Sequence, residues 1–307
     1  WDRWIWQRRR LEEHLRGHLF DVVDTPAISI SRRVAASAPF VVARSIQPEL
    51  LYQRAALRER RRILLPRSPH RLAAEAAAGW ASSRAVVAGW RRAAAVLALG
   101  SREARWMQER FPWTAPKLAV YMNALSTADR KALAAVRAAR QPRPEGATRF
   151  LWIGRWVPHK GTRSLVRFLA ERGASHPGDT FTLAGSGGEA LRECPPELVS
   201  GGRVRTVPAF GRGDLPELLA GHDAGLFTSE VEGWGLSLNE MLESGLPTYA
   251  TEAGGVEDLR PCFPKSLRPF PPPDGPVPPA GDEPACDRFT WARIAERYEE
   301  DVLSRAG

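Results

Sequence analysis

Cysteine is scarce in this chain, and the few that occur do not form a recognisable pattern. The 307 residues include three cysteines, Cys194, Cys262 and Cys286. Because the number is odd and no CxxC pair occurs, the sequence argues against a disulfide framework and against a zinc site. A reducing cytoplasm is therefore the predicted setting.

Long apolar runs are also missing. A membrane-spanning helix needs about 18 or more consecutive apolar residues, and the best candidate, residues 85–100, is broken by Arg91 and Arg92. The chain is therefore predicted not to span a membrane. It begins at Trp1 with neither a methionine nor a signal-peptide pattern, which predicts a processed or truncated piece.

Lysine is the scarce cation, with four lysines against 40 arginines, and the positive charge is unevenly distributed. Residues 1–150 contain 28 Lys and Arg against 12 Asp and Glu, whereas residues 151–307 contain 16 against 23. The first half should therefore prefer anionic partners. Its arginine-rich run, residues 54–64, indicates either a solvated helix face or peripheral contact with an anionic membrane. Nucleic acid is not expected, because no binding module accompanies the charge.

Amphipathic helical stretches alternate with short β-rich runs along the whole chain, which predicts an α/β fold with parallel sheets. The segment 139–149 is rich in Pro, Gly and Arg and precedes a clear new strand. The predicted domains are therefore residues 1–146 and 147–307, with a terminal helix at about 290–305 in the second. Ten prolines in residues 261–284 exclude a regular helix or an inner strand and favour a surface loop.

The stretch GRWVPHKG, residues 154–161, follows a predicted strand. Gly154 permits a tight exit, and Arg155 and Lys160 bring two cations to the carboxyl end of that strand. A guanidinium and an ammonium can share the charge of a diphosphate without a metal. A solvated loop with two ordinary surface charges is the equally simple alternative.

A second stretch, EVEGWGLSLNE at residues 230–240, leads from a strand into a helix. Gly233 and Gly235 allow close approach of a ligand to the backbone, and the start of the helix offers free amides to an anion. Glu240 lies on the second turn, where it could accept from the hydroxyls of a polyol, and Glu232 precedes the bend. The alternative is that both glutamates are exposed charges flanking a helix start.

Residues 150–260 resemble the donor-binding domain of retaining glycosyltransferases of family 4, which have the GT-B architecture. The resemblance rests on four stretches: FLWIGRWVPHKG, FTLAGSGGE, HDAGLFTSEVEGWGLSLNEMLESGLPTYATEAGGVED and the terminal FTWARIAERYEE. It implies two Rossmann-like domains, of which the C-terminal one is a doubly wound parallel sheet.

The resemblance also implies roles for individual residues. Arg155 and Lys160 resemble the pair that stabilises the departing diphosphate, and Glu232 resembles the glutamate near the transferred sugar. These three are the predicted catalytic residues.

Six further residues are implied to bind the donor nucleotide. Glu240 resembles the carboxylate that holds the ribose hydroxyls, and the backbone that follows Gly235 resembles the amides that meet phosphate. The base is implied to lie against backbone near the end of the third strand. The full predicted set is Glu240, Gly235, Leu236, Ser237, Gly154 and Phe210.

The family reaction retains the anomeric configuration and needs neither a divalent metal nor a cofactor. The resemblance thus implies a hexosyl-type transferase whose donor is a nucleotide diphosphate sugar. Its acceptor, a glycan, a lipid or a small molecule, is left open. The predicted location is the cytoplasm, with the inner membrane face as a site of peripheral contact.

The resemblance weakens in the first half. No counterpart of the family's first strands precedes Trp1, so the first domain is predicted to be incomplete. Many relatives carry histidine after the strand that here reads DVV, where this chain has Asp24, Thr25 and Pro26. The alternative prediction is therefore a catalytically incomplete nucleotide-sugar-binding module or a fragment of a longer glycosyltransferase. A phosphorylase or an epimerase on the same architecture is less favoured.

Overall fold

The chain forms two compact units in a computed structural model that describes residues 2–64, 68–141, 146–277, 283 and 286–306. The first unit comprises Trp1–Met122 together with Ala292–Gly307, and the second comprises Asn123–Trp291. Each unit is built around its own parallel sheet. The predicted α/β class is confirmed.

The first unit contains, in its described residues, a four-stranded sheet in the order β1-β2-β3-β4, and every neighbouring pair is parallel. The strands are β1 (Val22–Pro26), β2 (Phe40–Arg44), β3 (Ala95–Leu99) and β4 (Leu118–Tyr121). The helices that precede and connect them are α1 (Asp2–Leu15), α2 (Arg32–Ala35), α3 (Glu49–Leu64), α4 (Pro69–Arg92) and α5 (Ser101–Arg110).

Both faces of this first sheet are covered, as the apolar composition of its strands predicts. Val41 and Val96 belong to a core cluster that also contains Trp90 of α4 and Met107 of α5. The alternate residues of the same strands face a second cluster, because successive side chains along a strand point to opposite faces. The sheet is therefore an inner layer of this unit.

The second unit contains, in its described residues, a six-stranded parallel sheet in the order β10-β9-β8-β5-β6-β7. Its strands are β5 (Arg149–Ile153), β6 (Thr180–Ala184), β7 (Val204–Val207), β8 (Ala224–Phe227), β9 (Thr248–Ala250) and β10 (Leu267–Pro269). Its helices are α6 (Thr127–Ala139), α7 (Thr162–Ser175), α8 (Gly188–Glu193), α9 (Pro196–Ser200), α10 (Leu215–Ala220), α11 (Leu236–Glu243) and α12 (Val256–Leu259).

The strand order of the second unit reverses between β5 and β8. The chain runs outward from β5 through β6 to β7, then returns to place β8 on the other side of β5. In open parallel sheets, ligands bind at the carboxyl ends of the strands at this switch point. The two loops that leave β5 and β8 contain most of the predicted site residues.

The compact units divide the chain at other points than the predicted boundary at 146/147. Helix α6 belongs to the second unit, because its Arg130 and Arg137 form ion pairs with the buried Glu243 of α11. The terminal helix, α13 (Trp291–Asp301), lies mainly in the first unit.

The chain after residue 291 completes the core of the first unit. Val302 is buried in the second cluster of that unit, with Phe40 and Leu97. The hydroxyl of Tyr298 donates to Oδ2 of Asp24 at 2.7 Å. Nothing in the amphipathic pattern of the terminal helix specifies which sheet it covers.

Cys262 and Cys286 are joined in a disulfide, and Cys194 is free and buried. The expectation of no disulfide was therefore wrong for this pair. Cys286 also makes a backbone contact, because Nη2 of Arg130 donates to its carbonyl oxygen at 3.0 Å. Without CxxC spacing, the pairing of residues 24 positions apart depends on the tertiary fold.

The described part of the proline-rich segment includes β10, which pairs only with β9 at the edge of the sheet. An edge position is the place in a sheet where proline is tolerated, because one side of the strand makes no ladder hydrogen bonds. Residues 278–282 and 284–285 of the segment lie outside the described residues. Among the helices of the described residues, none has both the length and the apolar character to cross a membrane.

Candidate functional site

The loop after β5 is held in a tight conformation at the switch point. The N–H of Gly154 donates to the carbonyl of Ala184 at 2.9 Å, which continues the ladder with β6. Residues Pro158–Lys160 then form a 3-10 turn. Gly161 follows with φ of +70°, a conformation that favours glycine, and starts α7.

The loop after β8 is bound directly to the loop after β5. Thr228 is buried, and its Oγ1 donates to the carbonyl of Lys160 at 2.7 Å while it accepts from Nε1 of Trp152 at 3.0 Å. The N–H of Glu230 donates to the carbonyl of His159 at 2.9 Å. These contacts fix the two predicted motifs against each other.

Lys160 and Glu232 form an ion pair across these loops. The side chains are mostly buried, with exposed fractions of 17% and 13%. The Glu232 carboxylate also accepts from Oγ of Ser229 at 3.3 Å and from the N–H of Gly233 at 3.2 Å. The structure thus brings together two of the three predicted catalytic residues and orients Glu232 with three donors.

The N-terminus of α11 lies directly after this loop. Gly235, with φ of +86°, is the residue before the helix, and no described side chain caps the first turn. The first backbone bonds of the helix are donated by Leu238 and Asn239 to Gly235. The amides of Leu236 and Ser237 are therefore the unsatisfied donors that a helix start presents to an anion.

The bend before α11 packs against a second glycine pair, Gly254 and Gly255. Trp234 is buried, and its carbonyl accepts from the N–H of Gly255 at 2.8 Å. A Cβ at Gly254 would lie 2.7 Å from the Trp234 carbonyl oxygen, and one at Gly255 would lie 2.8 Å from the indole ring. The residues after β9 therefore hold the EGWG bend in place by close backbone contact.

Glu240 is buried on the second turn of α11 and forms an ion pair that sequence reasoning missed. Nη1 of Arg212 binds Oε1 of Glu240, and Nη2 of the same guanidinium donates to Oδ2 of Asp129 at 2.6 Å. Burial raises the pKa of the Glu240 carboxyl, and the contact with Arg212 partly offsets that effect. Arg212 lowers the pKa of Asp129, with a smaller contribution from Ser126.

The predicted residues fall into three groups. Lys160 contacts Glu232, whereas Glu240 contacts Arg212. Arg155 is exposed and forms no ion pair with a described residue, and Phe210 is half-buried after β7 with no ring contact among the described residues. The remaining positions, Gly154, Gly235, Leu236 and Ser237, supply backbone at the two loop exits.

A separate polar cluster lies at the carboxyl end of the first sheet. Asp24 accepts from Nε of Arg44 at 2.9 Å and also binds Nη2 of the same side chain. The Arg44 guanidinium lies over the rings of Tyr121 and Tyr298. Nearby Glu103 is buried, which raises its pKa to about 7, and it accepts from Oγ of Ser45 at 2.8 Å.

Part of the second unit matches a family model. Residues 147–261 match the family model described as glycosyl transferases group 1. The matched range contains both strand-exit motifs, with Lys160, Glu232 and Glu240, and ends shortly after the glycine pair that supports Trp234.

Two curated relatives align with part of the chain. An uncharacterized glycosyltransferase of Bacillus subtilis, YqgM, is 32% identical over 115 residues, which is 36% of this chain and 32% of the relative. A glycogen synthase of Mycobacterium tuberculosis is 32% identical over 123 residues, which is 39% of this chain and 29% of the relative. The matched part of the chain thus spans about a third of the length of these relatives.

The likeness of fold extends over nearly the whole chain. The structure of Anabaena HepE in complex with UDP has a TM-score of 0.56 and 17% sequence identity, and the match covers 99% of this chain and 74% of that one. At this identity the likeness shows the fold alone. The predicted fold of two Rossmann-like units, as in GT-B glycosyltransferases, is confirmed.

Proposed function

We propose that this chain is a glycosyltransferase that transfers a sugar from a nucleotide diphosphate sugar to an acceptor, with retention of configuration and without a divalent metal. The observation that carries the proposal is the Lys160–Glu232 ion pair, which lies beside an uncapped helix start at the switch point of a doubly wound sheet. The family match over residues 147–261 supports the same reaction class.

The diphosphate would bind between the loop after β5 and the start of α11. Lys160 supplies an ammonium, Arg155 an exposed guanidinium, and the amides of Leu236 and Ser237 supply donors with the positive end of the helix dipole. As the sugar carbon loses its bond to the diphosphate, negative charge grows on the leaving group. Fixed donors that meet this charge stabilise the transition state more than the ground state.

Glu232 would act on the sugar side of the same centre. Its carboxylate is held by Ser229, Gly233 and Lys160, so it is oriented before a donor arrives. A carboxylate at that position can accept from sugar hydroxyls and stabilise the cationic character that develops at the anomeric carbon. Lys160 is then shared between Glu232 and the diphosphate, which couples the two halves of the site.

Replacement of Glu240 with alanine tests the donor site. We expect Glu240→Ala to weaken binding of a nucleoside diphosphate by about one to two orders of magnitude, since hydrogen bonds to a charged group contribute roughly 1.5–3 kcal/mol. Calorimetric titration with UDP, ADP and GDP measures the effect. The matched control is Glu197→Ala, which removes an exposed carboxylate on α9.

The same titrations also distinguish the contribution of the ribose to affinity from that of the phosphates. Wild type should bind the ribonucleotide more tightly than its 2′-deoxy form, and Glu240→Ala should lose that preference. Equal affinities of wild type and Glu240→Ala for all three nucleotides would contradict the donor-site assignment. Nucleotide binding without measurable transfer or donor hydrolysis would instead favour the alternative prediction, a binding module or a fragment.

We also propose that the basic first unit contacts an anionic membrane surface. The enzyme would then work in the cytoplasm, at the inner face of the membrane, and its acceptor would be a lipid phosphate. Two exposed tryptophans lie on helices of the first unit, Trp6 on α1 at 57% exposure and Trp80 on α4 at 63%. Arg10 lies over the Trp6 ring and Arg84 over the Trp80 ring. An exposed indole beside a guanidinium suits the boundary between lipid headgroups and water.

Co-sedimentation with vesicles checks this surface. We expect several-fold more protein to pellet with phosphatidylglycerol vesicles than with phosphatidylcholine vesicles, because each arginine near an anionic surface contributes about 1 kcal/mol. Replacing both Trp6 and Trp80 with glutamine should reduce the recovery. Trp291→Gln, which removes another exposed tryptophan, is the control. Equal recovery on both vesicle types would reject the membrane contact.

A further inference from the structure

Arg212 occupies a position in the candidate site that the proposed function does not explain. It lies in the segment between β7 and α10, two residues after Phe210 and outside the loops after β5 and β8 that contain most of the predicted site residues. Its side chain is 57% exposed, whereas the Glu240 side chain that it contacts is 6% exposed. An exposed arginine seldom holds one conformation unless its nitrogens are bound on more than one side.

Two carboxylates bind the Arg212 guanidinium. One nitrogen, Nη1, binds Oε1 of Glu240, and the other, Nη2, donates to Oδ2 of Asp129 at 2.6 Å. This forked arrangement uses the planar geometry of the guanidinium and fixes its orientation. The exposed residue is thereby bound at both terminal nitrogens.

Asp129 is oriented in turn by the start of α6. Oγ of Ser126 accepts from the N–H of Asp129 at 3.1 Å and donates to Oδ2 of Asp129 at 2.7 Å. The contacts therefore run in order from Ser126 to Asp129, to Arg212 and to Glu240. Each link is a hydrogen bond between residues of the second unit.

The result is a Glu240 carboxylate with one oxygen engaged and one available. Oε1 is bound by Arg212, and Oε2 makes no hydrogen bond to a described residue. A carboxylate held in this way can accept from ribose hydroxyls without first losing rotational freedom. Arg212 itself keeps further N–H donors at an exposed position.

We propose that Arg212, held by Asp129, is a positioning residue that keeps the buried Glu240 carboxylate oriented to receive the ribose of the donor. The inference rests on the proposed function and deepens it. Arg212 acts through Glu240 and has no direct part in the transfer step.

The charges around Glu240 give this role a distinct pH signature. Arg212 and Asp129 are the charged groups that interact with Glu240, and the other charged groups that α6 directs at α11, Arg130 and Arg137, pair with Glu243. Burial raises the pKa of Glu240 and Arg212 lowers it. Loss of Arg212 should therefore raise the pKa of Glu240 further. As the pH is lowered, the variant should then lose ribose binding at a higher pH than wild type does.

The test uses the one of UDP, ADP and GDP that wild type binds most tightly. Its dissociation constant is measured from pH 5.5 to 8.5. We expect Arg212→Gln to weaken binding about tenfold at pH 6, the loss of one charge-assisted hydrogen bond to the carboxylate. The pH below which nucleotide affinity declines should be higher for Arg212→Gln than for wild type. Arg212→Lys should restore part of the affinity, and Arg167→Gln, on an exposed arginine of α7, should match wild type.

Two comparisons decide whether Arg212 works through Glu240. Arg212→Gln in a Glu240→Gln background should have no further effect, and binding of inorganic pyrophosphate should be unchanged by Arg212→Gln alone. A loss of pyrophosphate affinity, or an undiminished effect in the Glu240→Gln background, would show direct phosphate contact and overturn the proposal. Tighter nucleotide binding by Arg212→Gln would overturn it too, because Arg212 would then compete with ribose.

The outcome for Glu240→Ala separates this inference from the proposed function. If Glu240→Ala weakens nucleotide binding while Arg212→Gln changes neither affinity nor pH profile, the inference on Arg212 fails and the donor site stands. If Glu240→Ala is also without effect, the donor site itself fails, and the role of Arg212 fails with it.

Discussion

Lys160→Met should reduce donor turnover by about two to three orders of magnitude, the range found when a single charge-stabilising donor is removed from an active centre, and it should weaken nucleoside diphosphate binding as well. Two effects contribute to the weaker binding, the lost contact with Lys160 and the unpaired charge of Glu232. In the native structure Lys160 neutralises the mostly buried Glu232 carboxylate. Without Lys160, that uncompensated negative charge faces the proposed diphosphate position and repels it.

The double variant Lys160→Met with Glu232→Gln isolates this repulsion. We expect it to regain part of the nucleotide affinity, since the unpaired charge is removed, but to remain inactive in transfer. Lys265→Met, at an exposed lysine of the same unit, is the matched control for loss of a lysine charge. Calorimetry gives the affinities and a donor-hydrolysis assay gives the turnover. A Lys160→Met variant with wild-type affinity would contradict the role given to the loop after β5.

Gly161→Ala should destabilise the second unit by about 3 kcal/mol or more, because it combines an unfavourable positive φ with a steric overlap against backbone. Gly161 has φ of +70°, and a Cβ there would overlap the carbonyl oxygen of Thr228. A carbonyl that belongs to the exit of a central strand cannot move aside without breaking the Thr228 bonds to Trp152 and Lys160.

The measurement for Gly161→Ala is the denaturant midpoint of unfolding, followed by nucleotide titration of the folded variant. Affinity should fall as well, because the overlap displaces Lys160, the residue just before Gly161. Gly79→Ala is a suitable comparison, since Gly79 lies within α4 with nothing within 4 Å of its added Cβ. That substitution should be neutral or stabilise by up to about 1 kcal/mol through helix propensity. Equal midpoints for the two variants would contradict the steric argument.

Local sequence pattern was enough to predict the two loops that meet in the candidate site. A β-rich run, a glycine, two cations and a helix start follow one another within residues 149–162, and a β-rich run, two glutamates, two glycines and a helix start follow one another within residues 224–240. Because the carboxyl ends of parallel strands share one edge of a sheet, two such exits on neighbouring strands must meet. The contact between Lys160 and Glu232 is the product of that topology.

The partners of Glu240 could not be predicted in the same way. Arg212 lies 28 residues before Glu240, and Asp129 lies 83 residues before Arg212, on a helix that was assigned to the other domain. In a chain with 40 arginines, no single arginine is marked by its sequence surroundings. The disulfide between Cys262 and Cys286 was missed for a related reason, since its geometry depends on how the proline-rich segment returns to the fold.

The packing of α13 and the residues after it into the first unit has a consequence for the order in which the two units fold during synthesis. The core of the first unit includes Val302, which packs with residues of β2 and β3, and Tyr298 binds Asp24 of β1. A ribosome delivers the amino-terminal residues first, and domains generally fold as units during synthesis. Here the second unit has all of its residues by position 291. The sheet of the first unit has one face covered only once residues 292–307 are made. This unit, although most of it is synthesised before the second unit, therefore completes its folding after it.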